Sequence, residues 1–511
     1  MSLQFSQTSA ETDRPRGPKL SHELGEWVSH LCFSTAFRGT RLWLCVIPIF
    51  VFAALVGACH TVNVGECPLP SDPALGYRLQ FLSDGTLTPA CRQRELDILD
   101  RVRSGPPVTD IIVFAHGWWQ DAHTAEETYQ VFTRAMQVRR PAELSTFAPL
   151  LVGFYWPSAY FPVSIESDQA RLAERADTTS LKDELRRVYD WIAHLPDSDR
   201  DLGTIATLLA KELRGEVVTA ADVSTVAAIL KRWHVANGGE EVSDIASSES
   251  DTEAPGERSI FDLDVSSLAG FLLKNSYVAH PNQDVVKKRH ASILTILNVF
   301  TFWEMKRRAG RVGERGGYMF LKQLNRVVEG RPIRIHLIGH SFGGKVLMAS
   351  VGGPYGSPPN HATSLFIIQG AASHFSVAPA ENLDGLNLPR GSEGRYAVIL
   401  KARPIASLMI VTVSKRDLAN SLLYPLAVGV SGDVLEARDE AVPLYGALGA
   451  NGALRSRATT VVLRKGHPTP KLPEGPFAIY NVRADEVISS HSGYNEREIF
   501  DLLWSVIAAA H

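Results

Sequence analysis

The stretch "IRIHLIGHSFGGKV", residues 333–346, decides how this chain is read. Apolar residues alternate with polar ones at Ile333, Ile335 and Leu337, and Ile338 completes a short core strand. After Gly343-Gly344, the run from Lys345 to Ser350 reads as the start of a helix. A strand that turns directly into a helix at Gly339-His340-Ser341-Phe342-Gly343 holds its serine on a tight, strained backbone. A Cβ at Gly339 or Gly343 would collide with the neighbouring strand or helix, a reason for glycine at both motif positions. Ser341 is therefore a candidate nucleophile. The competing reading is a glycine-rich structural turn.

Outward from this stretch, further apolar runs are spaced as the strands of one sheet. Tyr77 to Leu82 reads as a first strand and Arg92 to Arg103 as a first helix. Ile111 to Ala115 forms a strand that ends in His116-Gly117-Trp118-Trp119, and Leu150 to Trp156 forms another that stops at Pro157. The stretches 363–373 and 407–417 each contain an apolar strand of the parallel-sheet kind, and 477–486 is the last strand. Glu496 to Ala510 closes the chain as an amphipathic helix, with Ile499, Leu502, Leu503 and Val506 on one face. Strands alternating with helices predict an α/β fold with a doubly wound, mostly parallel sheet. The catalytic domain is expected over 60–158 and 331–511.

Between Pro157 and Ile333 lie roughly 175 residues, far more than a crossover helix needs. Helix-period segments at 181–192, 202–213, 221–233 and 291–308 make 159–330 a helical insertion, either a cap over the site or a bundle packed elsewhere. Residues 237–257 hold seven acids and no Lys or Arg, which reads as a solvated, disordered loop. The Arg- and Gly-rich segment 305–321 lacks the spacing of a phosphate loop and reads as close packing beneath the serine turn.

Composition narrows the partners. A net charge of −3 over 511 residues gives a nucleic-acid partner no electrostatic support. No Cys/His spacing points to a metal site. Residues 1–59 are read as a polar, disordered N-terminus plus a signal or anchor segment. Arg38 and Arg41 precede an apolar run of about 17 residues, at the lower limit for spanning a bilayer, and the run ends in Gly57-Ala58-Cys59. Small residues before a cysteine resemble the lipobox of bacterial lipoproteins, in which Cys59 would carry lipid. An uncleaved single-span anchor is the alternative. Either places the rest of the chain in the cell envelope, attached to a membrane. All five cysteines lie at or before position 91, and an oxidising compartment would allow Cys67 and Cys91 to pair. Two unrelated buried thiols are the other reading.

A serine hydroxyl needs a neighbouring base, and the base needs a carboxylate to orient it. In the hydrolase arrangement the three follow in the order Ser, Asp or Glu, His. Asp417 sits in Ser414-Lys415-Arg416-Asp417, just past a core strand, where catalytic groups collect. Asp485, at the tip of the last strand, is its rival. His491 lies between the last strand and the closing helix and is the candidate base. The N–H groups of Phe342 and Trp118 are the expected oxyanion donors, with Gly117 allowing the backbone to turn. Trp118 and Trp119 line a substrate pocket or pack in the core.

With "HGWW", "GHSFGG", "SKRD" and "SSHSGYNEREIFDLLW" in place, the chain resembles the α/β-hydrolase superfamily from about residue 75 to 510, apart from the insertion. The resemblance implies hydrolysis of an ester, thioester or amide through an acyl-enzyme, without a cofactor. An esterase or lipase acting on small-molecule or lipid esters is the leading expectation. A serine peptidase or amidase on the same fold is a second, and a non-catalytic envelope binding protein a third.

Overall fold

The computed structural model describes residue 67 and residues 76–510, apart from 119, 121, 142–146, 159–176, 237–243, 247–259, 276–291, 387, 389, 425–444 and 473–475. The readings of the N-terminal anchor, of Cys59 and of Trp119 fall outside these residues.

Eight strands form one sheet. In chain order they are β1 (Tyr77–Gln80), β2 (Asp110–Ala115), β3 (Pro149–Tyr155), β4 (Arg334–His340), β5 (Ser364–Ile368), β6 (Leu408–Val413), β7 (Thr459–Val462) and β8 (Ala478–Arg483). They lie side by side as β1-β3-β2-β4-β5-β6-β8-β7, and every pairing is parallel. The register sets Ala115 of β2 beside Gly339 of β4. From β2 the chain winds outward to β3, and from β4 it winds the other way. The turning point therefore falls between β2 and β4, where an open parallel sheet leaves a crevice at the carboxyl ends of its strands.

The central strands are buried on both sides, as parallel strands covered by helices must be. Alternate residues of each strand feed two separate apolar clusters. Ile111, Val113, Leu337 and Ile367 face α1 (Pro89–Ser104) and most of the later helices, whereas Ile112, Phe114, Ile338 and Phe366 face α2 (Ala122–Val138) and the closing helix.

Between β3 and β4 the chain forms α3 (Thr178–Val188), α4 (Ser198–Leu213), α5 (Ala220–Ala236), α6 (Val265–Asn275) and α7 (Ile293–Val312). These helices share the first cluster, so their apolar faces and that face of the sheet form one core. Helix α7 is buried nearly all round, including Lys306, Arg307 and Arg308, and ends in a π-turn at Gly313–Gly317. At Gly313 a Cβ would stand 2.3 Å from the Val346 carbonyl, so the Arg- and Gly-rich segment does pack against the helix beneath the serine turn. After it come α8 (Tyr318–Val328), α9 (Phe342–Gly352) and the closing α10 (Arg497–Ala508), whose Ile499, Leu502, Leu503 and Val506 are buried.

Residues 237–257 need a correction. Within that stretch Asp244–Ala246 are described, and Asp244 and Ile245 are buried. Asp244 is fully buried and receives Lys345 Nζ at 2.5 Å, Lys306 Nζ at 3.3 Å, the Ser373 N–H at 2.9 Å and the Tyr424 hydroxyl at 3.1 Å. Ile245 and Ala246 pair antiparallel with Gly394 and Glu393. Acidic composition suggested solvent, but two distant lysines supply the counter-charge that lets this carboxylate enter the core. Burial opposes its ionisation, yet Lys306 and Lys345 outweigh that and hold the carboxyl below its ordinary range. The sheet also has a strand that the apolar pattern did not reveal, β7, a short edge strand with mostly exposed side chains.

Cys67 and Cys91 are joined in a disulfide, with Cα atoms 4.8 Å apart. The bridge ties the residues before β1 to the first turn of α1.

Candidate active site

Ser341 stands between β4 and α9 with φ 55° and ψ −125°, a conformation L-residues rarely adopt. The turn closes tightly enough to exclude side chains. A Cβ at Gly339 would lie 2.6 Å from the Gly343 backbone, and one at Gly343 would lie 2.1 Å from the Ala115 carbonyl. The β2 loop presses on the same point, since a Cβ at Gly117 would fall 2.7 Å from His340 Nδ1 and 2.9 Å from Ser341 Cβ. All three motif glycines are thus required by close approach.

The structure brings together the three side chains expected to act together. His491 Nε2 lies 2.8 Å from Ser341 Oγ, and His491 Nδ1 lies 2.9 Å from both Asp417 carboxylate oxygens. Asp417 is fully buried, Ser341 is 2% exposed, and the His491 side chain keeps 29% of its surface. Burial opposes ionisation of Asp417, but the facing His491 and the Asn420 donors prevail and hold the carboxyl below its usual range. Asp485 does not reach the imidazole. Its carboxylate accepts the Lys415 N–H at 2.8 Å and so props the loop that carries Asp417. Ser414, in the same loop, donates to the Ile488 carbonyl at 2.8 Å and fastens it to the segment carrying His491.

Phe342 is the first residue of α9, so its N–H belongs to the first turn, which has no intrahelical acceptor. The Trp118 indole is half-buried, 6.0 Å centre to centre from the Phe342 ring and 6.0 Å from Phe302 of α7. Phe302 also meets Phe342 at 5.4 Å and Tyr424 at 5.5 Å, so α7 contributes an aromatic wall next to the serine turn.

Three residues at the site were not found by sequence reasoning. The Nε2 of His340, inside the serine motif, is 2.9 Å from the His491 carbonyl. Burial, and then the nearby His491, push its pKa down to about 3, so the ring is neutral and that nitrogen donates. Gln369, just past β5, gives its Nε2 to Asp417 Oδ2 at 3.2 Å and to the Ser490 carbonyl at 2.8 Å. Asn420 gives its backbone N–H to Asp417 Oδ1 at 3.1 Å and its side-chain amide to Oδ2 at 2.7 Å. The one available signal was position: Gln369 and Asn420 each follow a core strand, at its carboxyl end.

His116, at the start of the β2 loop, is structural. It stacks on Trp156, takes the Trp156 N–H at 3.3 Å, and burial lowers its pKa to about 4. Among the described residues, no group of three or more His, Cys, Asp or Glu side chains is arranged to hold a metal ion. Nor, among them, is any helix long and apolar enough to cross a membrane.

The arrangement can move a proton from a hydroxyl to an imidazole that a buried carboxylate stabilises. No protein-family model, no curated protein and no solved structure matches this chain.

Proposed function

We propose that this chain is a serine hydrolase of the α/β-hydrolase type that cleaves carboxylic esters through an acyl-enzyme. The observation that carries the reading is the unbroken line Ser341 Oγ, His491 and Asp417, at 2.8 and 2.9 Å, across three strand ends of one sheet. In this mechanism Ser341 Oγ attacks the ester carbonyl carbon while His491 Nε2 takes the hydroxyl proton. Asp417 stabilises the imidazolium through Nδ1. The N–H groups of Phe342 and Trp118 receive the developing oxyanion. Collapse expels the alcohol, protonated by His491, and water repeats the sequence to release the acid. The helices between β3 and β4 act as an insertion that walls the acyl side, a role supported by Phe302 against Trp118 and Phe342.

Attachment to a bacterial envelope membrane, through lipid on Cys59 or an uncleaved span, rests on the N-terminal sequence. Cys59→Ala should abolish labelling by a palmitate analogue, whereas an unlabelled wild type would favour the span.

A panel of esters of rising acyl length, with a peptide set beside it, tests the chemistry. The wild type should hydrolyse at least one ester class. Ser341→Ala should fold normally and lose on the order of 10⁴-fold or more of that activity. A Ser341→Ala variant with wild-type turnover would reduce the serine turn to a structural device.

A further inference from the structure

Ser341 has a counterpart on the next strand. Gln369 follows β5 as Ser341 follows β4, and it too has a positive φ, 50°, without being glycine. Such backbone strain persists only where the surroundings enforce it, and it gathers at functional sites. Here the enforcement is visible. The Gln369 N–H is held by Thr412 Oγ1 at 2.9 Å and its carbonyl by Asn420 Nδ2 at 2.8 Å. A Cβ at Gly449 would stand 2.7 Å from the Gln369 carbonyl carbon, so the backbone is boxed in from that side as well. The strained turn sends a fully buried side chain beneath the acid and base loops.

There its amide meets two acceptors that belong to different loops: Asp417 Oδ2, after β6, and the carbonyl of Ser490, the residue before His491. Only the NH₂ end satisfies both, because a flipped amide would set oxygen against oxygen twice. A glutamate of the same shape would be no substitute. Ionised, it donates nothing and repels Asp417; protonated, it has one hydrogen for two acceptors.

We propose that Gln369 is a positioning residue for the reaction inferred above, a clamp that fixes the distance between the Asp417 and His491 loops. It acts through the bond between His491 Nδ1 and Asp417, keeping the hydrogen on Nδ1 and leaving Nε2 free to accept from Ser341. The inference rests on the serine-hydrolase reading for its consequence, but the clamp has its own readout.

The test follows the Nδ1-bound proton of His491 by NMR in full-length, ¹⁵N-histidine-labelled protein, with His491→Gln to assign it. In the wild type this proton should resonate at low field and exchange slowly. In Gln369→Glu and Gln369→Met it should broaden or move upfield. Ester hydrolysis by the same variants should lose kcat on the order of 10²-fold with KM little changed, the cost of misplacing a catalytic group. Gln369→Met also controls for folding, since it keeps the volume without the donors. A low-field resonance unchanged in both variants, or absent from the wild type, would overturn the clamp. A wild type that shows the resonance, loses it in both variants and hydrolyses no ester would retain the clamp and refute the hydrolase reading instead.

Discussion

Asp417 and Asp244 are both fully buried, yet their surroundings are built on opposite lines. Asp417 meets one imidazole that reaches solvent, and its other bonds come from the neutral amides of Gln369 and Asn420. Asp244 sits between two buried ammonium groups, with a backbone N–H and a phenol completing its bonds. The imidazole bridges the first carboxylate to the Ser341 hydroxyl, so that carboxylate sits at the end of a hydrogen-bonded line to the serine. The ammonium groups of Lys306 and Lys345 tie the second to α7 and α9 instead. Both touch the serine turn's surroundings: Asp417 through His491, Asp244 through Lys345, four residues into α9. In the proposed mechanism, buried charge near Ser341 thus serves two ends, one reactive and one that fastens the helices before β4 to α9.

Substitution should separate the two. Asp417→Asn should fold with nearly wild-type stability and lose about 10³- to 10⁴-fold in ester hydrolysis, because the amide favours the wrong imidazole tautomer. If Asp485→Asn were the more damaging change, the choice of acid would be wrong while the mechanism stood.

Asp244→Ala should act mainly on the fold. Removing one partner leaves Lys306 and Lys345 buried without this carboxylate, at a cost of about 3–5 kcal/mol, read as a lower urea midpoint. This runs against the expectation from composition that the whole 237–257 stretch is a solvated loop. A deletion of that stretch with an unchanged midpoint would contradict the burial of Asp244.

Smaller effects sharpen the same contrast. Reducing the Cys67–Cys91 bridge should cost about 3 kcal/mol by loop-closure entropy, with the sheet and the triad intact. Free thiols at both positions in protein prepared from an oxidising compartment would contradict the pairing.

Acid acts on the fold through His340. The folded chain holds His340 neutral down to about pH 3, whereas an unfolded histidine takes its proton near 6.5. Between those values the unfolded state binds more protons, so this stabilisation is complete above about 6.5 and is lost as pH falls. By pH 4.5 the loss should be about 2–3 kcal/mol, and His340→Gln should flatten that part of the stability curve. An equally steep curve in the variant would assign the effect to other groups, such as His116.

Why one aspartate was legible in the sequence and the other was not follows from what each depends on. Ser341, Asp417 and His491 each sit just after an apolar run, and a parallel sheet gathers the ends of such runs at one edge. Local pattern and chain order were enough to find them. Asp244 depends on Lys306 and Lys345, far along the chain, a pairing that no local pattern marks. Gln369, Asn420 and His340 act through side-chain directions that periodicity does not encode. The β7 strand escaped because an exposed edge of four residues lacks the apolar signature of its neighbours.

The most direct test of the central claim is covalent. A fluorophosphonate added to the full chain should attach once per molecule, and peptide mapping should put the adduct on Ser341. Labelling should be lost in Ser341→Ala and slowed strongly in His491→Ala, while Asp244→Ala that still folds should label. A folded wild type that takes no label, or takes it at another serine with Ser341 unmodified, would contradict the account.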